Sequence, residues 1–207
     1  MNFAKWALCA CVVFSMAGRA AAQDRMPPIP ADKMTDAQKK AAADLLAGPR
    51  TGLNGPFIPL MRSPELMDAF QKVGEQIRFH NTLGPKLTEF AIIMIARRWT
   101  TQTEWSGHSQ GAVKAGLSPE IVAAVREGRR PAEMAADEEI VYNFVVELEQ
   151  NKSISDATYD RTVKKFGEQG VIDLTGTIGY YTALAMVLNV ARTPGAPSKA
   201  PLVPFPN

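Results

Sequence analysis

The chain has 207 residues, with 23 basic and 21 acidic side chains, two histidines and two cysteines. So balanced a charge excludes the basic footprint of a nucleic-acid binder. Both cysteines, Cys9 and Cys11, fall at the extreme N-terminus, which excludes a disulfide framework or a thiolate metal site in the body of the chain.

Residues 1–22 read as a cleaved secretory signal peptide, with Lys5 as the basic region, Trp6 to Ala17 as the apolar stretch and Ala20-Ala21-Ala22 as the small-residue cleavage site. A lipobox reading of Leu8-Cys9-Ala10-Cys11 leaves almost no apolar stretch after Lys5, so ordinary cleavage is preferred. Removing Lys5 and Arg19 balances the 21 acidic residues with as many basic ones. The expected product is a formally neutral periplasmic or secreted protein with no thiol. It is expected to be soluble, not held in the membrane after cleavage.

Residues 23–34, with Pro27, Pro28 and Pro30, are expected to form an extended arm. Thr35 and Gln38 spell a capping box for a first helix that stops at Gly48-Pro49. Residues 49–62 read as a loop. Ser63-Pro64-Glu65 then starts a second helix running to about Phe79, and Gly84-Pro85 opens a third. In that third helix Phe90 to Ala96 is apolar on every side, so it must be buried all round.

Arg97 to Thr103 looks like a break, because adjacent threonines are poor helix formers and Thr101 with Glu104 spells another capping box. A fourth helix follows to Gly116, and a fifth runs from Ser118-Pro119-Glu120 to Gly128. A sixth spans about 135–150, with Ile140, Phe144, Val145 and Leu148 at helical spacing. Ser155-Asp156 caps a seventh, and Val171 to Ala191 gives a long eighth. No segment shows sustained period-two alternation, so the fold class is all-α: one helical domain over 35–192 and a proline-rich tail over 193–207 that wraps a surface or stays mobile.

The chemistry concentrates around Glu104-Trp105-Ser106-Gly107-His108. Residues four apart on a helix share a face, so Glu104 and His108 can share a proton or grip one ligand. A capping acid and a backbone-bonded histidine would explain the same pair without function. Glu89 has a bland explanation too, as a carboxylate favoured by the helix dipole of a first turn. In an unbroken helix Glu89 and Glu104 would stand roughly 22 Å apart, so only a fold-back at Trp99 to Thr103 can unite them.

Arg78, Arg97 and Arg98 are candidates to fork onto a substrate carboxylate, with Arg97 preferred over Arg98 because it continues the buried helix. His80 is a possible second proton donor, and Trp105 offers an apolar wall. Tyr142, Tyr180, Tyr181, Met186 and Asn189 are pocket candidates or core. Two histidines in separate segments make a poor metal set, even with Glu89 and Glu104 added, and no metal or cofactor is expected.

Leu87 to Gly128, with Glu89, the apolar run, Glu104-Trp105-x-x-His108 and Ala115-Gly116-Leu117-Ser118, resembles the carboxymuconolactone decarboxylase family, related to the alkylhydroperoxidase D-like proteins. A looser similarity runs from Pro56-Phe57 through Met61-Arg62-Ser63-Pro64-Glu65 to Asn189. The resemblance implies an alkylhydroperoxidase D-like bundle of about eight helices, assembled as a homo-trimer or hexamer. In the peroxidase branch a glutamate precedes a Cys-x-x-Cys pair and a histidine. By spacing, Glu89 matches the glutamate, Thr101 and Glu104 the two cysteines, and His108 the histidine.

With both sulfurs replaced, disulfide-based peroxide reduction is the least favoured function. The decarboxylase branch lacks the cysteine pair, and there the histidine acts in proton transfer. The expectation is a cofactor-free lyase acting on a small carboxylated lactone or keto acid. His108 would be the acid/base, with Glu104 orienting it, Glu89 beside them, and Arg97 or Arg78 on the substrate carboxylate. The rival expectation is a periplasmic binding or assembly protein on the same scaffold, which would show an exposed His108 or a filled pocket.

Overall fold

The structure is a computed structural model that describes residues 23–50, 52–196 and 200–203. Residues 1–22, the expected signal peptide with Cys9 and Cys11, lie outside them. The described residues form an all-α bundle: a 3-10 turn at Ala31–Lys33, then α1 (Asp36–Ala47), α2 (Phe57–Leu60), α3 (Pro64–Phe79), α4 (Gly84–Arg98), α5 (Gln102–Lys114), α6 (Pro119–Glu127), α7 (Ala136–Asn151) and α8 (Asp156–Ala191).

Local chemistry accounts for most helix ends. Thr35 accepts from Gln38 N and Gln38 Oε1 accepts from Thr35 N, which completes the capping box. Ser118 and Ser155 cap α6 and α8 through their hydroxyls. Pro64 sits in the first turn of α3, although Ser63 makes no side-chain cap there. The expected loop over 49–62 instead contains the single-turn α2, which exists to bury Phe57, Leu60 and the following Met61. α8 is interrupted at Gly167, whose φ of 71° is outside helical space. That break separates the two helices read from Ser155 and from Val171.

α4 is the axis of the fold. Phe90 through Ala96 are all buried, and the helix packs against α3, α5, α6, α7 and α8. A helix apolar on all sides can only be satisfied by such a ring of neighbours. At its end Thr100 N–H bonds Arg97 O at 3.0 Å and Thr101 N–H bonds Ala96 O at 2.8 Å, with Thr100 left-handed at φ 49°. This is a Schellman closure built on threonine rather than glycine. It reverses the chain and lays α5 against α4.

α8 alone among the described helices is long and apolar enough to cross a membrane, and half of that stretch is buried within the fold. Leu174, Ile178, Tyr181, Ala185 and Leu188 form its core face.

The two arms are tied down. Arg25 N–H bonds Ala191 O at 2.8 Å, which fixes the N-terminal arm to the end of α8. The C-terminal tail crosses the outer face of α5: Ser106 Oγ donates to Ala196 O at 3.0 Å, Trp105 Nε1 to Ala200 O at 3.0 Å, and Leu202 N to Gln102 Oε1 at 2.8 Å. The described part of the tail therefore wraps a surface. Both arms reach the rim of one cavity, through Asp24, Pro28 and Thr193 to Ala196.

Candidate active site

The fold-back at Trp99 to Thr101 unites the residues that the sequence holds apart. Glu89 on α4 and Glu104 on α5 flank the His108 ring: Nδ1 lies 2.7 Å from Glu89 Oε2 and Nε2 lies 3.2 Å from Glu104 Oε2. Glu89 stands beyond the first turn of α4, so the helix-dipole explanation for it does not apply. Glu104 is likewise no capping acid, since Thr101 makes no side-chain cap and its hydroxyl is buried without a partner among the described residues. The carboxylate turns inward to the imidazole instead.

The trio is largely withdrawn from water, with side chains 14 % (Glu89), 7 % (Glu104) and 13 % (His108) exposed. Tyr181 meets the imidazole edge-on, ring centroids 5.2 Å apart at 86°. Arg78 Nη2 stands 3.8 Å from Glu89 Oε1 and extends the array to a fourth charge.

Burial alone would pull the His108 pKa down. The hydrogen bonds to Glu104 and Glu89, together with their negative charges, more than offset this and raise it from 6.5 to about 9. At neutral pH the ring is an imidazolium donating to a carboxylate on each side.

Gly111, three residues beyond His108 on α5, makes room for this arrangement. A Cβ there would stand 3.2 Å from both Cδ and Oε2 of Glu89. Gly111→Ala is expected to displace the Glu89 carboxylate and lower the His108 pKa toward its ordinary value. An NMR titration of the imidazole checks this; an unchanged titration would show that Glu89 has other space.

Glu104 and His108 border a cavity of about 770 Å³, within the range of small-molecule sites. Its wall includes Glu104, His108, Arg78, Arg50, Tyr180 and Tyr181, beneath the two arms. Tyr180 is pushed up to about 12, chiefly by burial and against the pull of the neighbouring Arg50 charge, and burial likewise holds Tyr181 well above its usual range. Both phenols are therefore neutral.

Three sequence candidates lie elsewhere. Arg97 continues the buried helix as expected, but its guanidinium donates to Val203 O at 2.7 Å and anchors the tail, so it does not line the cavity. Trp105 faces the same tail rather than His108. His80 ends α3 on the exposed surface, away from the cavity wall. The metal set that would have joined it to Glu89, Glu104 and His108 is not assembled. Of the pocket candidates, Tyr180 and Tyr181 reach the cavity, whereas Tyr142 stacks near Phe90 and Asn189 bonds Trp99 O. Arg50 is the site residue that the sequence did not mark. It follows a Gly-Pro turn, and no local pattern separates it from a solvated arginine.

Residues 64–139 match the model of the carboxymuconolactone decarboxylase family. That segment of the chain is similar to this family. No curated protein matches the chain. The matched segment runs from α3 into α7 and holds Arg78, Glu89, Glu104, His108 and Gly111, while Arg50, Tyr180 and Tyr181 lie outside it. The cysteine positions of the peroxidase branch are filled here by Thr101 and Glu104, and the described residues contain no cysteine.

Proposed function

We propose that the protein is a cofactor-free lyase that decarboxylates a small carboxylated lactone or keto acid. The observation that carries this reading is the imidazolium of His108 held between two carboxylates at the wall of an unfilled cavity, with Arg78 beside them. An exposed His108 or a filled pocket would have favoured the non-catalytic binder, whereas His108 is largely buried at the wall of an open cavity. Peroxide reduction by a cysteine pair has no thiol to use among the described residues.

In the proposed reaction the bond between the ligand carbon and its carboxylate breaks and carbon dioxide leaves. The electron pair passes through the adjacent double bond, or directly in a keto acid, to the carbonyl oxygen. A proton then returns to carbon. The geometry reassigns the roles expected from sequence. Both nitrogens of His108 are occupied, whereas Glu104 Oε1 is buried without a hydrogen-bond partner. Glu104 is thus the relay to carbon: the proton passes from His108 Nε2 to the Glu104 carboxylate across the 3.2 Å bond and from that carboxyl group to the ligand carbon, leaving the ring neutral. The ring recovers its proton from solvent. Glu89 keeps the ring charged, and Arg78 faces the substrate carboxylate.

Export through the N-terminal leader and assembly into a trimer or hexamer belong to the same proposal, supported by the leader pattern and the family match over residues 64–139. The test is carbon dioxide release from a panel of carboxylated lactones and β-keto acids, with His108→Ala as control. Release by the natural protein and its loss in a folded His108→Ala supports the lyase. Equal release by both, or none from any panel member, overturns it.

A further inference from the structure

The cavity has a second polar corner that the Glu104–His108 group does not use. Arg50, just beyond α1, and Tyr180, on α8, both line it. Arg50 Nε, Arg50 Nη2 and the Tyr180 hydroxyl are all buried, and none has a hydrogen-bond partner among the described residues. Burying two guanidinium nitrogens of a half-buried arginine without an acceptor is costly, so folds rarely keep such a pair without use for it.

The corner is shaped for these groups. A Cβ on Gly74 of α3 would fall 2.2 Å from the Tyr180 hydroxyl and 2.5 Å from Arg50 Nη2, so both rest against its bare Cα. The Phe57 ring of α2 lies 4.5 Å from the Arg50 guanidinium carbon and holds it by a cation–π interaction. Phe70 packs on Tyr180 with ring centroids 5.8 Å apart. Three helices and a loop therefore fix the two side chains side by side, the Arg50 guanidinium acting on the Tyr180 oxygen and no carboxylate or carbonyl accepting from either.

The identity of the free atoms defines the missing partner. Nε and Nη2 form one edge of the guanidinium, the edge that pairs with a carboxylate through two parallel hydrogen bonds. The neutral phenol adds a third donor. Arg50 and Arg78 also share the wall of a smaller adjoining hollow, so positive charge extends along this side. The other arginine is already engaged with Glu89, and Asp24 at the rim accepts from Met26 N.

We infer that Arg50 and Tyr180 form a carboxylate-binding subsite, separate from the acid/base group, that seats an anionic end of the ligand and sets its orientation. The inference rests on the cavity being the substrate site. Arg50 and Tyr180 lie outside the matched family segment, so the subsite is a feature of this chain's flanking elements. It selects ligands by their anionic end, whereas Glu104 and His108 determine what happens at the other.

Calorimetry on the full chain with glutarate as the probe, and inorganic phosphate in parallel, tests it. Glutarate affinity is expected to fall at least tenfold in Arg50→Met and severalfold in Tyr180→Phe, and to persist in His108→Ala. Arg50→Lys, which keeps the charge but loses the fork, is expected to weaken glutarate as well. Ligand-free Arg50→Met is expected to melt no lower than the natural protein, since it sheds an unsatisfied charge. Glutarate affinity unchanged in Arg50→Met, no glutarate binding by the natural protein, or phosphate binding as tightly as glutarate would each overturn the subsite. Arg50-dependent glutarate binding without any carbon dioxide release would leave the subsite standing and remove the lyase reading. Carbon dioxide release indifferent to Arg50 would do the reverse.

Discussion

Glu104→Gln is expected to lower turnover of a decarboxylated substrate by about 10²–10⁴-fold, the usual range for removing one acid/base group. The substitution is nearly isosteric, so it leaves the fold and the cavity wall in place while deleting the carboxylate that relays the His108 proton. It acts a second time through His108, which loses the partner on Nε2 and with it part of the upward pull on its pKa. The enolate formed by loss of carbon dioxide would then persist or recapture carbon dioxide. The signature is a fall in kcat with little change in KM, because the carboxylate-binding side of the cavity is untouched. Glu104→Gln at natural activity would show that Glu104 only orients the ring, with His108 reaching the substrate itself. Stopped-flow detection of carbon dioxide release separates the two outcomes.

The helical framework was largely legible because its determinants are local. The Thr35–Gln38 box, the prolines that open α3, α4 and α6, and the glycines at 116 and 128 act within a few residues of themselves. The all-apolar run of α4 likewise admits only a central position. Single-turn α2 was missed since four residues carry no periodicity, and what forms it is burial of Phe57 and Leu60 against the rest of the fold.

The site was legible in part. The i, i+4 spacing of Glu104 and His108 is a local signal, and the break after Arg97 allowed Glu89 to join them. What a capping pattern cannot reveal is which way a carboxylate turns. Thr101 and Glu104 satisfy the pattern of a capping box, but the pull of a nearby imidazolium wins and the box is not made. Arg97 and Trp105 were misplaced for a related reason. Each lies next to the site in sequence and faces the opposite side of its helix, where the C-terminal tail supplies carbonyls for both. The tail's path over α5 is set by side chains some ninety to a hundred residues upstream. Arg50 and Tyr180 meet only in three dimensions, at the bare Cα of Gly74.

The charge on His108 also makes stability depend on pH in a defined direction. Its pKa is about 9 in the fold and 6.5 in the unconstrained chain, so the folded state binds the proton more tightly. The resulting stabilisation is fully present below pH 6.5 and is lost as pH rises from there through 9. Taken over that interval it amounts to about 3 kcal/mol, at roughly 1.4 kcal/mol for each tenfold gain in proton affinity. The expected result is that the natural protein loses urea resistance between pH 6.5 and 9.5 while His108→Gln loses much less, the difference between the two isolating the imidazole from every other titrating group. Glu89→Gln should narrow the same window from above, since it removes the 2.7 Å partner and lowers the folded pKa. Parallel pH profiles for the natural protein and His108→Gln would mean that the ring is neutral in the fold. In that case Glu104 would have no charged neighbour from which to reload its proton, and catalysis would have to begin from a neutral imidazole acting as a base.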